Sequence, residues 1–343
     1  MGYKGANRGR RAALTILVSV LGTVFALLLA AAAYGEWLLG RIYQAPDQSQ
    51  ALSQDQIDAI LNAEPIGTKP AEMDVLEVEH LQWEVAEKLD PEGHIFNILL
   101  LGQDRRPGEV RARTDTMILV TVNTKAETLT LTSFMRDTFV QIPGYYNNRL
   151  NVPYVFGGVE LLYDTLELNF GIRPDRYVEV DFDGFEQLID QVGGVDLYVS
   201  AGEARFINAI GGWSLGEGSH HLSGAQALAY SRNRTTGGDG DFSRTERQRK
   251  VIGALIERAS QMNLVELNDL LTSAAKYVRT DMTGTELLKY VVRFYPMLSN
   301  LDSVENVRIP YGDYYYNSWA EGIGAVIVPN LEKNCAVIAE YQK

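Results

Sequence analysis

Residues 12–35, AALTILVSVLGTVFALLLAAAAYG, constrain this chain more than any other segment: twenty-four consecutive positions carry no charge. As a helix rising about 1.5 Å per residue, such a run crosses a bilayer, which takes roughly 20 apolar residues. It follows a basic head, residues 1–11, in which Lys4, Arg8, Arg10 and Arg11 meet no acid. Positive charge stays on the cytoplasmic side, so the expectation is a single-pass transmembrane helix with a cytoplasmic N-terminus and an extracytoplasmic body. Ala31, Ala32 and Ala33 are small enough for a cleavage site, but cleaved signals have apolar cores of about 7–15 residues. The longer run is therefore read as a retained signal-anchor in the cell membrane.

The net charge of −13 argues against nucleic acid as a partner, because phosphate neutralisation dominates such binding. Eleven acids against Lys69 and Lys88 lie between Asp55 and Glu92. With its scattered Gln and Pro, the segment 36–93 reads as an acidic stalk; Ile57, Ile60 and Leu61 allow a turn or two of amphipathic helix. The single cysteine, Cys335, excludes an intrachain disulfide and a Cys-based zinc site. His80, His94, His220 and His221 match no metal motif, and neither a phosphate-cradling P-loop nor a convincing dinucleotide fingerprint is present.

A folded body is expected over 94–343. Residues 95–101 (IFNILLL) form an unbroken apolar run of strand length, the mark of a strand covered on both faces. Further strands are expected at 117–122, 128–134, 177–182, 195–199, 304–309 and 325–328. Helical patterns fall at 159–170, 185–192, 221–232, 243–262 (opening on S-x-x-E) and 264–277. The interleaving predicts one α/β/α body around a central mixed sheet.

Three charged clusters sit at strand ends or a helix start. In the first, Asp104, Arg105 and Arg106 follow one strand while Arg113 and Asp115 precede the next; two carboxylates meeting across that loop would suit a hard divalent cation shared with phosphate oxygens. In the second, Arg136 and Asp137 follow the third strand. The third, AYSRNRTTGGDGDFSRTERQRK, sets Arg232, Arg234, Arg244, Arg247, Arg249 and Lys250 against Asp239, Asp241 and Glu246. Arg244 and Arg247 share a face at a helix start, with Gln248 beside them. Cations there oppose the helix dipole and need an anion to offset it, and arginine suits bidentate contact with phosphate. Together the clusters read as a pyrophosphate clamp.

The ordered series NILLLGQD, RTDTMILVTVN, MRDTFVQIPG, Arg149-Leu150-Asn151 with Gly157 and Gly158, VDFDGFEQLIDQVGGVDLYV, LSGAQALAYSRNR and DFSRTERQRKVI resembles the LytR-CpsA-Psr (LCP) family, with core motifs over 95–260. The resemblance implies an LCP-type catalytic domain that transfers a glycopolymer, such as teichoic acid or capsular polysaccharide, from a polyprenyl-pyrophosphate carrier to peptidoglycan, releasing polyprenyl phosphate. Water in place of the sugar acceptor would make the same site a pyrophosphatase. By the same resemblance Asp104 and Asp115 match the metal-associated acids, for Mg2+ or Mn2+. Arg113, Arg136, Arg232, Arg234, Arg244, Arg247 and Gln248 match the pyrophosphate-binding positions, with Arg113, Asp115 and Arg136 nearest the chemistry. Thr114 stands where many relatives have Ser, and Phe139 where Tyr is common. The lipid tail needs an apolar groove, for which Phe156, Leu161, Leu162, Leu166, Phe170, Phe182, Phe185 and Leu188 are candidates. A membrane-tethered, non-catalytic regulator that binds polyprenyl pyrophosphate is the alternative function.

Overall fold

The run that opens the body becomes β1 (Ile95–Gln103), and its side chains alternate between two apolar clusters on opposite faces. Leu99 and Leu101 join one cluster, and Phe96, Ile98 and Leu100 the other, so the strand has no polar face. The computed structural model describes residues 52–62, 66–81, 83, 85–103, 111–298 and 303–343. The basic head, the uncharged run at 12–35 and Asp104 lie outside the described residues, and no helix among those described is long and apolar enough to cross a membrane.

Six strands form the central sheet in the order β10 (Val304–Ile309), β3 (Thr128–Phe134), β2 (Thr114–Asn123), β1, β6 (Arg176–Asp181), β9 (Val278–Thr280). The pairs β1·β2, β2·β3 and β6·β9 are antiparallel, whereas β1·β6 and β10·β3 are parallel. The sheet is thus mixed, as the interleaving predicts. Helix α2 (Pro153–Phe170) covers one face through Leu162, Leu166 and Phe170, joined by Ile338 of α9 (Leu331–Glu340) and Ile57 of α1 (Gln54–Leu61). The other face is covered by α6 (Asp241–Ser260) through Ile252 and Ile256, and by α8 (Gly284–Leu298) through Phe294 and Met297.

A third cluster lies beside the sheet, where the hairpin β7 (Val195–Val199) and β8 (Gly218–Leu222) packs with α3 (Phe182–Gln191), α4 (Ala201–Gly211), α5 (Gly224–Arg232) and α6. The helix expected at 221–232 is therefore shorter: His221 and Leu222 belong to β8, opposite Asp196 and Val195. The Gln226 carboxamide accepts from Ser223 N–H at 3.0 Å and sets the helix start there. The helix expected at 243–262 begins two residues earlier at Asp241, with Gly240 rather than Ser243 as N-cap. In α2 the backbone leaves helical geometry at Gly157 and Gly158, the latter at φ +66°, so the expected 159–170 helix is the part beyond that kink. Helix α7 (Leu264–Ala274) continues into a short 3-10 turn at Ala275–Tyr277, spanning the expected 264–277.

The acidic segment before β1 is docked along much of its length. Leu76 N–H donates to Trp319 O (2.8 Å) and Trp319 N–H to Asp74 O (2.9 Å). Leu89 N–H donates to Gly171 O (2.8 Å), and Lys88 pairs with Glu167 at 2.6 Å. Side chains add to this docking: Ile57 and Leu89 pack in the main core, and Leu76, Leu81 and Trp83 in a cluster with Phe139 and Val326, so it rests on scattered apolar residues and backbone bonds that an acidic composition hides. The partner of Leu76 lies in a second hairpin, β11 (Tyr315–Ala320) with β12 (Gly324–Pro329). Near it stands the short pair β4 (Phe139–Val140) and β5 (Asn148–Arg149).

Candidate active site

The register of β2 and β3 brings the first two clusters together. Ile118 pairs with Ser133 in the antiparallel ladder, and continuing that register past β3 sets Arg136 opposite Asp115. Arg136 Nη1 donates to Asp115 Oδ1 at 2.8 Å. The third cluster arrives from the α5–α6 connection. Arg234 Nη2 lies 3.8 Å from Asp115 Oδ2, and its Nε lies 3.4 Å from Asp241 Oδ1. Arg244 Nη2 reaches Asp241 Oδ2 at 2.8 Å and Asp115 O at 3.3 Å. Asp241 Oδ2 is also 3.5 Å from Arg136 Nε. Three arginines from separate chain segments therefore surround two carboxylates, with Asp137 at the margin between Arg136 and Arg149, 3.5 Å from each.

Electrostatics differ sharply within the cluster. Burial by itself lowers the Arg136 pKa, but Asp115, Asp137 and Asp241 outweigh it and hold the guanidinium above the ordinary arginine range. Burial pushes the Asp241 carboxyl up to about 6 against the pull of Arg136 and Arg234. Arg244 is almost completely buried, and its Nε has no hydrogen-bond partner among the described residues. An unmet, buried, cationic donor beside long ion pairs is a site with capacity for more anionic oxygen.

The loop that delivers Arg234 is held from behind. Asn233, fully buried, accepts from Thr235 N–H (2.9 Å) and Thr236 N–H (3.2 Å). Arg247 donates to Asn233 O (2.9 Å), Thr236 O (2.5 Å) and Glu203 Oε1 (2.6 Å). Gly237 and Gly238, at φ +105° and +85°, turn the chain from there toward α6, a conformation that favours glycine.

The remaining expected site residues fall in several places. Arg113 Nη2 donates to Leu61 O at 2.5 Å, against the last turn of α1. Arg232 lies over the Phe182 ring, 4.4 Å from its centroid. Arg247 points into the Glu203 pocket, and Gln248 is half-buried on α6. Of the candidate lipid-lining residues, Phe156, Leu162, Leu166 and Phe170 are buried in the main core, whereas Phe182, Phe185 and Leu188 on α3 are half-buried. Asp137 and Asp241, named in the second and third charged clusters but not among the expected site residues, also enter the site. The signal for Asp241 was its position three residues before Arg244 on a helix.

Among the described residues no group of three or more His, Cys, Asp or Glu could hold a metal ion. Asp115 contributes one carboxylate, already facing two arginines. The donors here are oxygen, the chemistry a hard cation takes, and such ions complete their shell with substrate phosphate.

The fold is a mixed α/β body carrying a partly buried arginine cluster at adjoining strand ends, and arginine is the side chain suited to bidentate contact with phosphate. Residues 70–336 match the LytR_cpsA_psr family model, and the chain belongs to that family. It is 35% identical over 239 residues, 69% of this chain and 75% of the relative, to the polyisoprenyl-teichoic acid–peptidoglycan teichoic acid transferase TagU of Bacillus mycoides. The TagU of Halalkalibacterium halodurans is 34% identical over 61% of this chain and 68% of its own. Among solved structures, TagT bound to LIIa-WTA superposes with a TM-score of 0.61 at 28% identity, covering 76% of this chain and 95% of that one.

Proposed function

We propose that this protein transfers a glycopolymer from a polyprenyl-pyrophosphate carrier to peptidoglycan, with release of polyprenyl phosphate. The convergence of Arg136, Arg234 and Arg244 on Asp115 and Asp241 carries the reading. Their guanidinium groups would hold the two phosphates and offset the charge that grows on the leaving phosphate when a sugar hydroxyl of peptidoglycan attacks the phosphate bearing the polymer. Buried donors already in place need little reorganisation as that charge develops. Arg247, through Asn233 and Thr236, would keep Arg234 in position. The finer assignments within this reading are Arg113, Arg232 and Gln248 as further phosphate contacts.

Mg2+ belongs to the same proposal. Asp115, with Asp104 from the segment outside the described residues, would share it with the phosphates, where it would supply further charge neutralisation. The run at 12–35 would anchor the chain in the cell membrane, with the body outside and close to both a lipid-borne donor and the wall.

The test is to incubate the full-length protein with a defined lipid-linked glycan and peptidoglycan fragments, with and without chelator, and to follow products by mass. Metal-dependent joining with release of polyprenyl phosphate is expected. Unchanged turnover by Asp115→Ala would remove the carboxylate from the mechanism, and absence of any joined product would remove the transferase reading.

A further inference from the structure

A cleft of about 520 Å³ lies beside the arginine cluster, not at it, and its walls have a different chemistry. Trp83, Tyr314, Tyr315 and Tyr316 line it, with the polar side chains of Asp313, Asn330 and Glu332 between and around them. Its one cation, Lys333, sits 5.0 Å over the Tyr314 ring. With two acids against one lysine the walls do not favour a phosphate. Aromatic rings interspersed with hydrogen-bonding groups suit a neutral ligand with apolar faces and polar edges. A pyranose is such a ligand: ring C–H groups cover its faces, and hydroxyls and amides its rim. Tyr316, at the start of β11, lines the cleft and is 53% exposed.

The cleft is tied to the arginine cluster by packing and hydrogen bonds. The Tyr315 ring lies 5.4 Å from that of Phe242, the residue after Asp241. The hairpin carrying Tyr315 and Tyr316 is held at the cluster's margin: Ile327 N–H donates to Asp137 O (2.9 Å), and Arg149 donates to Ala325 O (3.1 Å) and Ile323 O (2.9 Å). A chain lying along the cleft past Tyr315 would therefore run toward the phosphate-binding arginines.

We propose that this aromatic cleft is a saccharide-binding subsite for the acceptor, taking the uncharged N-acetylhexosamine backbone of a glycan strand and presenting a hydroxyl of that strand to the arginine cluster. The assignment rests on the transferase reading for its role in the reaction, but saccharide binding itself can be measured without a donor. The full-length protein in detergent is titrated by calorimetry with a β-1,4-linked N-acetylglucosamine tetramer, alongside Tyr316→Ala and Trp83→Phe. Wild type is expected to bind. Tyr316→Ala is expected to weaken binding about tenfold and to raise KM for the acceptor by a similar factor, leaving KM for the lipid-linked donor unchanged; Trp83→Phe keeps a ring and should lose less. A wild-type protein that does not bind the tetramer overturns the proposal, as does equal affinity in both variants. If no transfer is seen but the tetramer binds and Tyr316→Ala weakens it, the subsite stands and the transferase reading falls. If transfer proceeds and Tyr316→Ala alters neither tetramer binding nor acceptor KM, the subsite falls and the transferase reading stands.

Discussion

Arg244 and Arg247 lie one turn apart on the same helix, and both are buried. Arg247 directs three donors at three fixed protein oxygens, all within 2.9 Å. Arg244 makes one short contact to Asp241 and a longer one to Asp115 O, and its Nε has no partner among the described residues. A guanidinium has five N–H donors in a fixed fork. Arg247 commits a donor on each of its three nitrogens to a fixed protein oxygen, as a strut does; Arg244 leaves its buried Nε unmet and so keeps capacity for an incoming anion. Two arginines that look equivalent as R-x-x-R thus differ in how far protein oxygens already occupy them.

That contrast can be broken at several points. The largest effect is expected on stability from Arg247→Ala: Glu203 would stay buried without its partner, and breaking such a pair costs about 3–5 kcal/mol. Urea denaturation measures it, and a wild-type midpoint would show that Arg247 is not a strut. Burial alone would raise the Glu203 pKa, but Ser200 and Arg247 outweigh it and lower it, so this stabilisation is fully present above the ordinary carboxylate range and lost progressively as pH falls from there through the lowered pKa. The gap between wild type and Arg247→Ala should narrow accordingly in acid.

Next in size, Arg136→Ala should reduce transfer by about 10²–10³, the typical loss when one pre-aimed donor to a developing anion is removed, with a smaller fall in the urea midpoint than Arg247→Ala because Asp115, Asp137 and Asp241 are more exposed than Glu203. A collapsed midpoint with normal specific activity in the folded fraction would place Arg136 on the structural side. Arg244→Lys keeps the charge and loses the fork; since one lost hydrogen bond to a charged group is worth about 1.5–3 kcal/mol, donor affinity should fall roughly tenfold or more, read by titration with a lipid-linked pyrophosphate. Arg247→Lys should instead affect stability more than affinity.

The smallest effect concerns pH. Burial pushes the Asp241 carboxyl up to about 6, and its protonation would remove a negative charge that competes with substrate for Arg136, Arg234 and Arg244. Pyrophosphate affinity of the wild type should therefore strengthen a fewfold as pH falls from 7 to 5, relative to Asp241→Asn measured over the same range, which corrects for titration of the ligand. Parallel profiles in the two proteins would show that Asp241 does not compete.

Much of the frame could be read along the chain. The strands at 128–134, 195–199 and 304–309 fall at those positions, because each is a strand-length segment whose apolar residues recur at short spacing between polar ones. The hairpin containing β8 was hidden by its composition: in GSHHL only Leu222 is buried, so it has no apolar alternation to detect. The docking of residues 66–89 was hidden because main-chain hydrogen bonds carry much of it. For the site, charge clustering pointed to Asp115, Arg136, Arg234 and Arg244, but it could not separate Arg244 from Arg247 or find the role of Asp241.

The layered α/β body and the clustering of its arginines were legible along the chain, since hydrophobic period and charge type are local properties. Folding settled how many protein oxygens meet each guanidinium, and that an aromatic cleft lies beside the cluster. Those outcomes depend on which oxygens and rings arrive from residues 61, 203, 233 and 315, far away in sequence, and no local pattern encodes that meeting.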